Sequence, residues 1–157
     1  TRRIWVSPAT AHPDSAWVTQ QARNFLLDAG EIEITHLLRD RDTKYTASFD
    51  AVWESQGVKI RKIPPKQPVC NSRTERVVKS IKVECLSQFI AFGERHLNYL
   101  AQSYVRYYNG FRSHSRRDYL PPAVTDPPPP NDSAVAEDIV RQERLGGVIA
   151  WYERRAA

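Results

Sequence analysis

Methionine is absent from this chain of 157 residues, cysteine occurs only twice, and no long apolar run is present. A transmembrane helix needs roughly 18 consecutive apolar residues, and the sequence has neither such a run nor a charged and then apolar leader. We therefore expect neither a membrane protein nor a secreted one. Cys70 and Cys85 form no C-x-x-C pair, which argues against a disulfide scaffold and a cysteine-rich zinc site and fits a reducing cytosol. Because the chain starts at Thr1 and lacks methionine, we expect it to be a fragment.

Several other signatures are missing as well. The histidines, His12, His36, His96 and His114, have no histidine or cysteine four residues away, so a zinc site has little support. The sequence also lacks the glycine-flanked serine of hydrolases, the phosphate-cradling glycine loop and the dinucleotide-binding glycine pattern. These absences argue against the corresponding enzyme classes.

The first half of the chain alternates between β and α patterns. The hydrophobic fraction of 41% is that of an ordinary globular domain. The spacing of apolar and turn residues predicts a short strand at 3–6, a helix that Ser15 caps and Gly30 ends, a buried strand at 34–38, a helix from Ser48 to Gly57 and a basic strand at 58–63. This order predicts an α/β domain with parallel strand pairs.

The second half is predicted to be mainly helical. Apolar residues recur at helical spacing over 72–89 and over 94–108. The prolines at 121–122 and 127–130 predict a stiff linker, and Gly146-Gly147 between apolar runs indicates a hairpin. We therefore divide the chain into a core domain at 1–120, a proline-rich and acidic linker at 121–138 and a C-terminal hairpin tail at 139–157.

Asp40 and Glu75 are the candidates for chemistry. Asp40 follows a predicted buried strand, where open α/β sheets place reactive groups, but an aspartate there also commonly starts a turn. Glu75 fits a capping box that begins at Ser72. Glu75 also shares one helix face with Lys79 and Lys82, because these residues are four and three positions apart. A carboxylate beside two lysines suits a site where metal and phosphate meet.

Positive charge is concentrated around Glu75. Residues 59–82 contain this one acid and eight basic residues, namely Lys59, Arg61, Lys62, Lys66, Arg73, Arg76, Lys79 and Lys82. A second cluster combines Arg106, Arg112, Arg116 and Arg117 with Tyr107, Tyr108 and Phe111. The functional interpretation is phosphate contact with occasional base stacking, and the alternative is a solvated charged surface.

Two motifs resemble the DDE catalytic core of insertion-sequence transposases and retroviral integrases. The first is Asp40-Arg41-Asp42-Thr43-Lys44-Tyr45, followed 35 positions later by Glu75, with Asn71 before it and Arg76, Lys79 and Lys82 after it. The second spans 108–114 and resembles the family's Tyr-Asn-x-x-Arg-Pro-His segment, with Ser113 in place of the proline. Similarity extends from Thr1 to about Ala123, and residues 145–148 are similar to the ending of one transposase branch.

The resemblance implies an RNase H-like α/β fold, with a mixed sheet flanked by helices, and metal-dependent cleavage and strand transfer of DNA. Asp40 and Glu75 would be the catalytic residues and the ligands of two Mg²⁺ or Mn²⁺ ions. The partners would be element ends and target DNA, contacted by Lys62, Arg73, Arg76, Lys79, Lys82 and Arg112. The resemblance further implies a homo-oligomer in the bacterial cytosol.

One element of the family's pattern is missing. The family's first aspartate lies on a strand upstream of the one that residues 1–10 resemble, and Asp14, Asp28 and Asp50 lie in or beside predicted helices. We therefore expect these 157 residues to lack the first strand and to be inactive alone. The alternatives are a non-catalytic, DNA-binding remnant of a decayed transposase and, with weaker support, a protein-interaction module that uses the prolines at 127–130.

Overall fold

The computed structural model describes residues 2–64, 72–125 and 138–154. The chain forms two compact units: Ser7–Thr74, which we call the strand unit, and Thr1–Val6 with Glu75–Ala157, which we call the helical unit. Lys66, Cys70, Asn71 and the prolines at 127–130 lie outside the described residues. Among the described helices, none combines the length and the apolar character needed to cross a membrane.

The strand unit is built from two helices and two strands. They are α1 (Ser15–Ala29), β1 (His36–Arg39), α2 (Ala47–Glu54) and β2 (Lys59–Lys62). The two strands are parallel, with His36 opposite Lys59 and Arg39 opposite Lys62, which confirms the predicted parallel pairing. Both strands therefore end at the same edge of the sheet.

Aromatic side chains hold the two helices of the strand unit together. Phe49 and Trp53 of α2 are buried, and the ring of Phe25 on α1 lies 5.6 Å from that of Trp53, measured between centroids. Ala22 of α1 and Val58, just before β2, complete this core. The apolar pattern of the sequence correctly places Phe49 and Trp53 inside.

The helical unit contains two long helices, the first of which begins in the last three residues of the strand unit, and an antiparallel strand pair. The elements are α3 (Ser72–Glu84), a 3₁₀ turn (Leu86–Gln88), α4 (Gly93–Gly110), a second 3₁₀ turn (Ser115–Arg117), β3 (Ile139–Arg144) and β4 (Ile149–Arg154). Arg144 pairs with Ile149 across the turn that contains Gly146 and Gly147. In the described ranges each sheet has two strands, whereas the sequence predicted a larger mixed sheet.

The core of the helical unit joins α3, α4 and β4. Ile81 and the free thiol Cys85 come from the end of α3 and the residue after it. The predicted stripe of α4 supplies Leu100, Ala101, Tyr104 and Tyr108, all of them buried. Ile149 of β4 packs into the same cluster, and Trp151 stacks on Phe111 with ring centroids 4.3 Å apart.

Three predicted features differ from the structure. The strand at 3–6 is wrong, because Ile4 satisfies its N–H and C=O on the side-chain amide of Asn109 instead of on a strand. Asp14, not Ser15, caps α1, and its Oδ1 accepts a hydrogen bond of 2.7 Å from the Trp17 N–H. The helix predicted at 72–89 ends at Glu84, because Cys85 leaves helical geometry (φ −139°, ψ −71°).

A buried ion pair connects β1 to α2. Arg39 donates from Nε to Asp50 Oδ1 over 2.9 Å and from Nη2 to Oδ2 over 2.7 Å. The Arg39 side chain is only 5% exposed and that of Asp50 17%. The guanidinium also lies 5.4 Å from the centroid of the Tyr45 ring. A bidentate pair of this kind fixes orientation as well as distance, because both hydrogen bonds must form in one plane.

We expect Asp50→Asn to lower the free energy of unfolding by roughly 3 kcal/mol, because it leaves the buried charge of Arg39 without a counter-ion. Urea unfolding followed by circular dichroism measures the loss. The control is Asp42→Asn, which breaks an exposed pair with Lys44 and is expected to change little. An equal loss of unfolding free energy in the two variants would contradict the claim that the buried ion pair contributes more than the exposed one.

Candidate active site and DNA-contacting residues

Asp40 is the first residue after β1, and its side chain is exposed. Its Oδ1 accepts a hydrogen bond of 3.1 Å from the Asp42 N–H. Asp40 therefore starts a turn, as the alternative interpretation of this residue predicts. Arg39 donates from Nη1 to the Asp40 carbonyl oxygen over 3.0 Å. Within the described ranges the Asp40 carboxylate forms no ion pair. The buried arginine thus holds the backbone while the carboxylate stays accessible.

Asp42 is less available than Asp40. Its Oδ1 accepts from the Lys44 N–H over 2.9 Å, and its Oδ2 lies 2.9 Å from Lys44 Nζ. The backbone N–H of Lys44 and then its ammonium group lower the pKa of the Asp42 carboxyl. Because Lys44 already neutralises Asp42, Asp40 is the better candidate for a metal ligand at this edge.

Lys62 ends β2 at the same edge of the parallel sheet. It pairs in register with Arg39, next to Asp40 in the chain. Its Nζ lies 3.7 Å from Asp50 Oδ2, and about half of the side chain, 52%, is exposed. The strand unit therefore places two residues of the predicted site, Asp40 and Lys62, at the same edge of its sheet, and both side chains are exposed.

Helix α3 carries five other predicted site residues, and all of them are exposed: Arg73, Glu75, Arg76, Lys79 and Lys82. In the described part of the chain, Glu75 forms no ion pair or hydrogen bond through its side chain. Ser72 is the first helical residue, so the capping position lies outside the described residues and the capping box stays a prediction. Glu75 is in the helical unit and Asp40 is in the strand unit.

Arg112, which the sequence predicted to contact DNA, is engaged inside the helical unit. It donates from Nε to Glu84 Oε2 over 2.9 Å and from Nη2 to Oε1 over 2.7 Å. Tyr104 donates its hydroxyl to Glu84 Oε2 over 2.7 Å. The Arg112 guanidinium lies 5.4 Å from the centroid of the Tyr108 ring. We call Glu84, Arg112 and Tyr104 the Glu84 cluster.

The Glu84 cluster shifts the titration of its members. Burial raises the pKa of Glu84, but the hydrogen bonds from Arg112 and Tyr104 and the charge of Arg112 outweigh it, so the net pKa lies below its usual value. The pKa of Tyr104 is raised by burial and by its hydrogen bond to the carboxylate. Glu84 is therefore an anion and Tyr104 a hydrogen-bond donor at neutral pH.

The other residues of segment 108–114 also make internal contacts. Asn109 donates from Nδ2 to the Ile4 carbonyl over 2.8 Å and accepts from the Ile4 N–H over 2.9 Å. His114 is buried with its ring edge against Tyr108, at 5.0 Å between centroids. Burial and then the charge of Arg112 lower the pKa of His114, which favours the neutral ring. This segment stabilises the helical unit.

Sequence reasoning missed Glu84 and Asp50, whose carboxylates pair with Arg112 and Arg39. A signal for Asp50 was available, because Arg39 shares a strand face with the apolar Leu37 and a buried arginine needs a carboxylate partner. Nothing in the sequence distinguished Glu84 from a solvated acid at the end of a helix. The described residues contain no cluster of three or more histidine, cysteine, aspartate or glutamate side chains able to hold a metal.

The lowered pKa of Glu84 has a consequence for stability. Its ordinary value is 4.5, so the ion pair contributes stability that is complete above this pH and is lost as the pH falls through the lowered pKa. We expect Glu84→Gln to be less stable than wild type near neutral pH and the difference to shrink toward zero in acid. Urea unfolding at a series of pH values measures it. A difference that grows in acid would contradict the ion pair.

Comparison with known proteins addresses part of the chain. Residues 56–122 match the family model of the integrase core domain. No curated protein matches the chain. The matched range includes β2, α3 and α4, with Glu75, Lys79, Lys82 and the Glu84 cluster, whereas Asp40 precedes it. Over residues 56–122, the chain is therefore similar to the integrase and transposase catalytic cores of the RNase H-like superfamily.

Proposed function

We propose that the protein is the catalytic core of a transposase or integrase that cleaves DNA and joins DNA strands with the help of divalent cations. The observation that supports this most is the exposed face of α3, where Glu75 lies beside Lys79 and Lys82 within the matched range. Metal-dependent cleavage of nucleic acid uses anionic ligands for the metal and cationic groups for phosphates, and this face offers both kinds of group.

Asp40 and Glu75 are the proposed ligands of Mg²⁺ or Mn²⁺. Both carboxylates are exposed and form no ion pair in the described ranges, and carboxylate oxygens are the ligands that these hard cations prefer. When bound, a pair of such ions activates an attacking oxygen and stabilises a leaving one. The chain's own part is to hold the carboxylates in place, which Arg39 does for the Asp40 backbone.

Basic side chains are the proposed contacts to DNA. Lys79 and Lys82 would position the DNA end, and Arg73, Arg76 and Lys62 would contact phosphates through exposed side chains. Arg112 belongs to the same prediction, although Glu84 holds its guanidinium group. By the same resemblance, we propose that the active form is a homo-oligomer that acts on DNA in the bacterial cytosol.

These 157 residues are proposed to be inactive alone, because they contain no counterpart of the family's first aspartate. A site with two carboxylates instead of three binds a metal pair poorly, since one of the bridging charges is missing. The second candidate function is a non-catalytic DNA-binding remnant. It is supported by the same missing counterpart of the first aspartate. Metal-dependent chemistry separates the two candidates.

We expect duplex DNA binding to weaken steeply with salt, and we expect the double variant Lys79→Ala, Lys82→Ala to flatten the dependence of log K on log salt by about 2 units. Each lost phosphate contact removes about one released counterion. A fluorescence-anisotropy titration at several salt concentrations provides the slope.

The matched control for this double variant is Arg23→Ala with Arg95→Ala. It removes the same net charge from exposed positions on α1 and α4, outside the basic segment, and should leave the slope nearly unchanged. Equal slopes for wild type and the Lys79, Lys82 variant would overturn the DNA-contact assignment. Absence of any salt-sensitive binding would favour the protein-interaction alternative.

Glu75→Gln is the test of the metal assignment. In a preparation extended upstream to include a first aspartate, we expect it to abolish strand transfer with Mg²⁺ or Mn²⁺, because an amide is a poor replacement for a charged ligand. DNA binding and melting temperature should remain close to wild type, since the Glu75 side chain is exposed. A variant that melts earlier yet keeps its activity would instead support the capping-box interpretation.

A further inference from the structure

Within the ranges 2–64, 72–125 and 138–154, the buried contacts of α3 lie toward its C-terminal end. Its first five residues, Ser72 to Arg76, are all exposed. The buried contacts lie at the other end, where Ile81 and the following Cys85 enter the core of the helical unit. The part of α3 that carries Glu75 and Lys79 is therefore directed by contacts made one to three turns further along the helix.

Apolar contacts alone do not fix the rotation of a helix. Burial of Ile81 and Cys85 favours contact but is not directional, so small rotations and shifts of α3 cost little apolar area. Hydrogen bonds to a charged group are directional, and a two-point guanidinium contact is the most restrictive form. Glu84, in the last turn of α3, has such a contact.

The Glu84 cluster connects α3 to two other places in the helical unit. Tyr104 belongs to α4, and Arg112 lies just after the end of α4. Together they donate three hydrogen bonds of 2.7 to 2.9 Å to the two Glu84 oxygens. Both members of the ion pair are about two-thirds buried or more, so solvent competes little for these bonds.

We propose that Glu84 is a positioning residue: through Arg112 and Tyr104 it fixes the rotation of α3 and thereby the direction in which Lys79 and Lys82 present their charges to DNA. This inference rests on the proposed DNA contact of α3. In this inference Arg112 acts on DNA binding through Glu84, and this role replaces the direct phosphate contact predicted for Arg112.

The lost negative charge and the lost positioning of α3 would change the DNA affinity of Glu84→Gln in opposite directions. Removing an acid from a basic, DNA-binding helix strengthens binding if charge alone matters, because less repulsion opposes the phosphates. Loss of positioning weakens binding, because the lysines no longer converge on the same phosphates. The matched control is Asp118→Asn, which removes one negative charge from an exposed site in the same unit.

The decisive experiment is a double-mutant cycle on the salt slope. The double variant Lys79→Ala, Lys82→Ala is measured in the wild-type and in the Glu84→Gln background, with melting temperatures for each protein. We expect a slope loss of about 2 units in the wild-type background and less than about half of that with Glu84→Gln. Glu84→Gln alone should weaken binding, whereas Asp118→Asn should leave it unchanged or strengthen it.

Three results would overturn the proposal. An equal slope loss in the two backgrounds means that the lysines act independently of Glu84, while the proposed DNA function survives. If the double variant loses no slope in the wild-type background, both the proposed DNA contact of the lysines and its positioning by Glu84 are wrong. A slope that falls by about 1 unit when Arg112→Gln is added to Glu84→Gln assigns a direct phosphate contact to Arg112.

A milder variant keeps the test usable if Glu84→Gln does not fold. Tyr104→Phe removes one of the three hydrogen bonds to Glu84 and retains the ring in the core. We expect it to weaken DNA binding in the same direction as Glu84→Gln but by a smaller factor, without any change in net charge. Binding equal to that of wild type would count against positioning by the cluster.

Discussion

Pairing between an arginine and a carboxylate, largely shielded from water, determines the local geometry in both units. Arg39 with Asp50 joins a strand to a helix, and Arg112 with Glu84 joins α3 to the end of α4. Such pairs add little net stability over apolar packing, because removing two charges from water offsets much of their attraction. These pairs instead determine the relative orientation of the elements they join, since only one arrangement satisfies all the hydrogen bonds.

The proposed metal ligands differ in burial from the residues that support them. Asp40 and Glu75 are exposed, whereas the residues that hold their backbone or helix are largely buried. An exposed carboxylate keeps its affinity for a cation, and a rigid support keeps that carboxylate in one place without an ion pair that would neutralise it. Asp42 illustrates the opposite case, because its carboxylate already forms an ion pair with Lys44.

The sequence was sufficient to predict the elements that follow from periodicity. The buried stripe of α4 is an example, because it depends on the local spacing of apolar residues. The exposed face of α3 was predictable for the same reason. The parallel pairing of β1 and β2 was predictable from the alternation of β and α patterns along the chain. Contacts between distant residues were not predictable, because Glu84 meets Arg112 only after α3 and α4 have packed. The strand predicted at 3–6 fails likewise, since its partner is the side chain of Asn109.

The contact between Ile4 and Asn109 joins residues 105 positions apart, and the strand unit lies within this stretch of the sequence. In topological terms, the strand unit is an insertion whose two ends both return to the helical unit. When the strand unit opens locally, its ends remain tethered, so its open state has less conformational entropy than a free chain of equal length. Because contacts of such long sequence separation form slowly, completion of the helical unit is expected to be a late event in folding.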